Sequence, residues 1–199
     1  MNAYQRFIEF FSMCNKERLD GLSESYFEPM TREERLKAFN YLLKLVEQGG
    51  SEETINGIFM ADSDRAVEPV TKLLESGALN DEAQIAAAWN LYRIREDDNL
   101  ISIFIKFMSS SDRRLREKAA YYVPADKLTN DLKDALHGMI RTETVRLARI
   151  HAVDKLLNIY GISEESVGEK NFLKIYRGLH SEDVAKKEAT FTQLDELYE

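Results

Sequence analysis

Three histidines, one cysteine and a scatter of acidic pairs are the residues whose types could support catalysis or metal binding, and their spacing argues against both. His137, His151 and His180 stand far apart in sequence, so a metal held by them would need a special geometry. Cys14 is alone, which rules out an intramolecular disulfide and a site of four thiolates, and fits a reducing compartment. The sequence contains no glycine-rich phosphate loop, no pair of histidines at helical spacing and no Gly-x-Ser-x-Gly elbow. The expectation is a protein without catalytic residues, metal or cofactor.

Charged residues cluster in two ways. The pairs Glu52-Glu53, Asp81-Glu82 and Glu164-Glu165 each follow directly on a proposed helix cap, where they complement the positive end of the helix dipole by about 0.3 to 1 kcal/mol each. Glu33-Glu34 and Asp97-Asp98 are further acidic pairs without a cap directly before them. The basic run Arg113, Arg114, Arg116 and Lys118, followed by Arg141, Arg146 and Arg149, is the best local case for binding phosphate or an acidic partner. Residues 111–155 hold ten Lys/Arg against seven Asp/Glu, in a chain whose net charge is -8. That overall charge repels phosphate backbones and anionic membrane surfaces, so neither nucleic acid nor a membrane is expected as a partner.

One aromatic column stands out. Trp89, Tyr121 and His151 each fall nine residues after a proposed cap, in three consecutive second helices of a repeat. Facing a groove, they would form an anchoring strip for a partner, because large rigid rings bury much area at little entropic cost. Facing the next repeat, they would be core.

The elements that must position these residues are read from caps and apolar periodicity. Tyr4, Phe7, Ile8, Phe10, Phe11 and Cys14 predict a first helix from Ala3 to about Arg18, and Thr31 with Glu34 forms a capping box opening the next, which ends at Gly49-Gly50. Ser51, Asn80, Asp112, Thr142 and Ser181 then align as N-caps at intervals of 29, 32, 30 and 39 residues, a spacing typical of repeat arrays. The longest interval contains Gly161 to Gly168, which reads as an insertion. Three residues after each cap stand Thr54, Ala83, Leu115, Val145 and Val184. Further on stand Ile58-Phe59, Ala87-Ala88, Ala119-Ala120, Arg149-Ile150 and Glu188-Ala189. These offsets share one helical stripe and predict burial against the preceding helix of each pair. Apolar stripes such as Leu132, Leu136, Met139 and Ile140 supply the facing surfaces.

Asp112 to Val123, with Leu115-Arg116, Ala119-Ala120 and a closing Val123, resembles the second-helix pattern of the HEAT-repeat family, and Asn80 to Leu91 repeats it. The resemblance covers roughly residues 31 to 198 and implies an all-α, right-handed α-solenoid: one N-terminal helix, then about five antiparallel helix pairs in a single domain over residues 1–199. It implies second helices lining a concave side. It also places Arg116 and Arg146 where such repeats carry a structural arginine bonding neighbouring caps, leaving Arg113, Arg114 and Arg149 as a surface patch.

These features predict a non-enzymatic protein-binding solenoid, with Trp89, Tyr121, His151, Arg113, Arg114, Arg149, Glu52, Glu53, Asp81 and Glu82 as partner-binding residues. Small acidic helical proteins of this kind include cytoplasmic immunity proteins of bacterial toxin systems, whose negative charge steers them onto a basic, nuclease-like toxin domain. The alternatives are a HEAT-like DNA glycosylase, which the net charge opposes, and a structural adaptor subunit. No apolar run of signal-peptide or membrane-spanning length occurs, so the expected location is the cytoplasm. The oligomeric state is left open.

Overall fold

Short polar side chains start most of the helices. In a computed structural model describing residues 2–13 and 21–198, every regular element among the described residues is helical. The α-helices are α1 (Ala3–Phe10), α2 (Arg32–Glu47), α3 (Glu52–Ala61), α4 (Ser63–Glu75), α5 (Asp81–Arg95) and α6 (Ile101–Met108). They continue as α7 (Arg113–Tyr122), α8 (Asn130–Thr142), α9 (Arg146–Ile159), α10 (Glu164–Val167), α11 (Glu169–Leu179) and α12 (Val184–Tyr198). Two 3-10 turns, Glu24–Tyr26 and Asp98–Leu100, complete the set. The chain forms two compact units, Met1–Asp97 and Asp98–Glu199.

In the first unit α1 ends sooner than its apolar periodicity predicts, at Phe10, and residues 14–20, including Cys14, lie outside the described residues. Its aromatic face is spent on core: Phe7 and Phe10 are fully buried, and the Phe7 ring packs on Phe11, Phe27 and Tyr41 at 5.3, 5.5 and 5.8 Å. The predicted capping box of α2 is present, with Glu34 N donating to Thr31 Oγ1 and Thr31 N donating to the Glu34 carboxylate. α2 and α3 pair, α4 and α5 follow, and α3 packs directly on α5. Ile55 and Ile58 of α3 and Ala83, Ala87 and Ala88 of α5 are all fully buried. Alanine at these positions lets the two helices approach closely.

The turn between α2 and α3 needs glycine. Gly49 and Gly50 take φ of +106° and +63°, and a Cβ on Gly49 would stand 2.8 Å from the Asn80 amide. Asn80 is at the N-cap position of α5, as predicted, but its side chain does not cap the helix. Its Nδ2 donates to Gly50 O at 2.9 Å and its backbone N donates to Gly49 O at 2.8 Å, tying one turn to the preceding one.

The second unit repeats the pattern with α6 paired to α7 and α8 to α9, while α6 packs on α8 and α7 on α9. First helices thus lie on first helices and second on second. Asp112 caps α7 as predicted, accepting from Arg114 N at 2.8 Å. Two predicted caps are displaced. Thr142 is the last residue of α8, its hydroxyl donating back to Gly138 O, and α9 begins only after Val145. Ser181 also precedes its helix, because the carboxylate that accepts from Lys186 N belongs to Asp183.

Val145 has no capping side chain, so Glu143 serves instead, accepting from Val145 N at 2.8 Å. Counted from Val145 the buried column returns. Ala148, Ala152 and Val153 are fully buried, whereas Arg149 and Ile150, expected there, are partly exposed. In α12 the expected Val184 is 71% exposed and Ala189 is also exposed, while Phe191 and Leu194 are buried. The stretch between Gly161 and Gly168, expected as an insertion, contains the short helix α10.

The final pair departs from the two-layer order, because α12 reaches back to α8, the first helix of the pair before it. The Phe191 ring stacks on His137 at 4.1 Å, Lys187 Nζ donates to Ile140 O at 3.0 Å, and Arg141 holds the Glu188 carboxylate through Nε and Nη2 at 2.6 and 2.7 Å. Glu188 thus occupies an expected alanine position to meet an arginine, not a helix backbone.

Candidate functional site

Two surfaces, one in each unit, gather the residues singled out from sequence. In the first unit the packing of α3 on α5 brings their first turns together, and with them Glu52, Glu53 and Glu82. These three carboxylates, with Ser51, Asn56 and Leu22, line an open hollow of about 500 Å³. Asn56, which lines the hollow, accepts from Asn90 Nδ2 at 2.7 Å, a polar tie between α3 and α5. Asp81, the fourth acidic residue of the expectation, is exposed and does not line the hollow.

Long-range charge reinforces this arrangement. Met1–Asp97 contains eleven Lys/Arg and eighteen Asp/Glu, a net of -7, whereas Asp98–Glu199 contains sixteen and seventeen, a net of -1. Nearly all the excess negative charge of the chain therefore belongs to the unit that carries the acidic hollow. A concave acidic surface focuses its field toward an approaching cation.

The second unit carries the aromatic pair. Tyr121 near the end of α7 and His151 of α9 meet edge to face, centroids 5.1 Å apart, and Tyr121 remains 56% exposed. The Tyr121 ring therefore opens toward solvent, while His151 is half-buried. Measured from Val145, His151 falls six residues after the cap position instead of nine, so the two rings meet through helix packing, not through equivalent positions in a repeat. Trp89 lies in the first unit, half-buried, with the Arg93 guanidinium 5.6 Å from its ring centroid.

Tyr121 and His151 line a hollow of about 190 Å³ with Ala120, Asp154, Lys155 and Asn158. The last three were not singled out from sequence. Helical spacing could have found them, since Lys155 lies four residues and Asn158 seven residues beyond His151 on one face of α9.

The basic run divides by role. Arg116 Nε and Nη2 grip the Glu143 carboxylate, which is 2% exposed, so Arg116 acts as a tie between turns. Arg146 is exposed and does not share that role. Arg149 does: it stands four residues after the cap position of α9, as Arg116 does in α7, and donates to Glu182 at 2.9 Å with its side chain 19% exposed. Expected as part of a surface patch, it is instead drawn into a tie between turns. Arg113 and Arg114 remain exposed at the start of α7, and their side chains make no ion pair among the described residues.

Buried ionisable groups elsewhere serve packing. His137 is 5% exposed and its Nε2 has no hydrogen-bond partner, and burial together with the Arg141 charge pushes its pKa down to about 4. Burial works to raise the Asp195 carboxyl, yet hydrogen bonds from Lys133 and Tyr160 outweigh it and hold the group below its ordinary value. Among the described residues no three His, Cys, Asp or Glu side chains are grouped as metal ligands, and no helix is long and apolar enough to cross a membrane. Compared with family models, curated proteins and solved structures, the chain matches none.

Proposed function

We propose that this chain is a short right-handed α-solenoid of HEAT-like helix pairs that acts by binding a basic protein, in the manner of a cytoplasmic immunity protein neutralising a toxin domain. The observation that carries the reading is the acidic hollow of Glu52, Glu53 and Glu82, set in a unit of net charge -7. The stacking of first helices on first and second on second within the second unit supports the solenoid. Charge of one sign concentrated on a concave surface raises the association rate with an oppositely charged partner and discriminates against others. The same charge disfavours duplex DNA, whose phosphates would have to approach carboxylates.

The test uses tagged protein in lysate of its own cells at low and at moderate salt, beside an E52K/E53K/E82K variant with an unchanged circular dichroism melt. The expected result is one basic protein captured in equal amount by the original chain and lost by the variant. Co-expression of the chain should then relieve the growth arrest caused by the captured protein. Capture of nucleic acid alone, or equal retention by the variant, overturns the proposal. A captured protein that is harmless when expressed alone assigns an adaptor role in place of immunity.

A further inference from the structure

Lys155 is a cation whose charge is left unanswered inside its own unit. It sits on α9, half-buried, at the hollow between α7 and α9, and makes no hydrogen bond or ion pair among the described residues. Three of the side chains that line the same hollow can donate: the Tyr121 hydroxyl, an imidazole nitrogen of His151 and the Asn158 amide. Donors beside an ammonium that has no ion-pair partner are the elements of an anion site. A carboxylate, Asp154, also lines the hollow, but it is exposed and makes no ion pair with Lys155.

We infer that the hollow formed by Tyr121, His151, Lys155 and Asn158 binds a small oxyanion, a carboxylate or phosphate group. Its volume of about 190 Å³ is below the range of pockets that take drug-sized molecules and suits a single charged group with its attached atoms. The Tyr121 ring, edge to face with His151, gives the group an apolar flank. Burial alone lowers the Lys155 pKa, with no acidic neighbour acting to restore it. An arriving anion supplies that missing counter-charge. The site lies in the second unit, so it stands independently of the acidic hollow and of the basic partner proposed for it.

The test follows the Tyr121 and His151 ring signals by NMR, in protein labelled at histidine and tyrosine rings, at pH 7.5. Sodium phosphate, sodium acetate and a short glutamate peptide are titrated separately against sodium chloride at matched ionic strength. Saturable shifts of both rings with phosphate, acetate or peptide, absent with chloride, are expected. Tighter saturation by the peptide assigns a protein-borne carboxylate, and tighter saturation by phosphate or acetate assigns a free ion. In K155M the apparent affinity should fall about ten-fold or more, and K155R should retain binding, the loss expected for one charge-assisted hydrogen bond. Shifts that track chloride, or that saturate equally in K155M, overturn the site.

Discussion

The guanidinium of Arg116 holds the carboxylate of Glu143 with two prongs, Nε to Oε2 at 2.6 Å and Nη2 to Oε1 at 3.0 Å. Its remaining Nη1 donates to the carbonyls of Ser110 and Ser111 at 2.9 and 3.1 Å. Glu143 in turn accepts from Val145 N, so one side-chain pair closes the turn before α7 and starts α9. The Arg116 hydrogen bond holds the Glu143 carboxyl below its ordinary value.

Removing one partner of this pair leaves the other charge buried without compensation. Arg116→Met should destabilise the protein by about 3 kcal/mol, the low end for a broken buried pair because Arg116 keeps some exposure. Urea denaturation followed by circular dichroism measures it. A loss below about 0.5 kcal/mol would match an ordinary surface ion pair and remove the tie from the fold's energetics.

Leu115 follows the Asp112 cap by three residues and is 6% exposed, one of the large side chains between α7 and its neighbours. Leu115→Ala should cost roughly 2 to 5 kcal/mol through lost transfer energy and the cavity left behind. The same denaturation experiment reads it, and an unchanged midpoint would place this side chain on the surface.

His137 makes stability depend on pH. Its pKa of about 4 in the folded protein lies below the ordinary 6.5, so the unfolded chain takes up the proton first. The contribution is complete above pH 6.5 and declines as pH falls toward 4, by about 2 kcal/mol on reaching pH 5. His137→Phe keeps a ring to stack on Phe191 and cannot take up a proton. Thermal melts between pH 7.5 and 5 should show a shallower loss for the variant, and parallel curves would contradict the assignment.

The all-helical class was legible because caps and apolar spacing act locally. Thr31, Ser51 and Asp112 start the predicted helices, with their own side chains accepting the free backbone donors. The fourth repeat misled because its cap comes from outside the usual position: Thr142 has the right chemistry and Val145 the wrong one, while Glu143 reaches across two residues to do the work. That shift of three residues hid Arg149 as the counterpart of Arg116 and made His151 look like the successor of Tyr121. The acidic hollow was legible residue by residue, since Glu52, Glu53 and Glu82 were each marked, but their meeting depends on α3 lying against α5. Lys155 shares a face of α9 with His151 and was within reach of helical spacing, but its missing partner was not legible, because a lysine lacking a partner looks the same in a sequence as one that has found it.

Turn-to-turn ties recur in the second unit, Arg116 to Glu143 and Arg149 to Glu182, so three successive second-helix starts are linked in series. A unit laced along one border behaves like a bound book, in which the pages fan more easily than the spine stretches. Deformation on meeting a ligand should therefore concentrate at the opposite helix ends, where Tyr121 stands in the last turn of α7 and the small hollow opens. Backbone amides beside the laced turns should accordingly exchange with solvent more slowly than those around Tyr121, and the difference sets which end of each helix is available to adjust its grip.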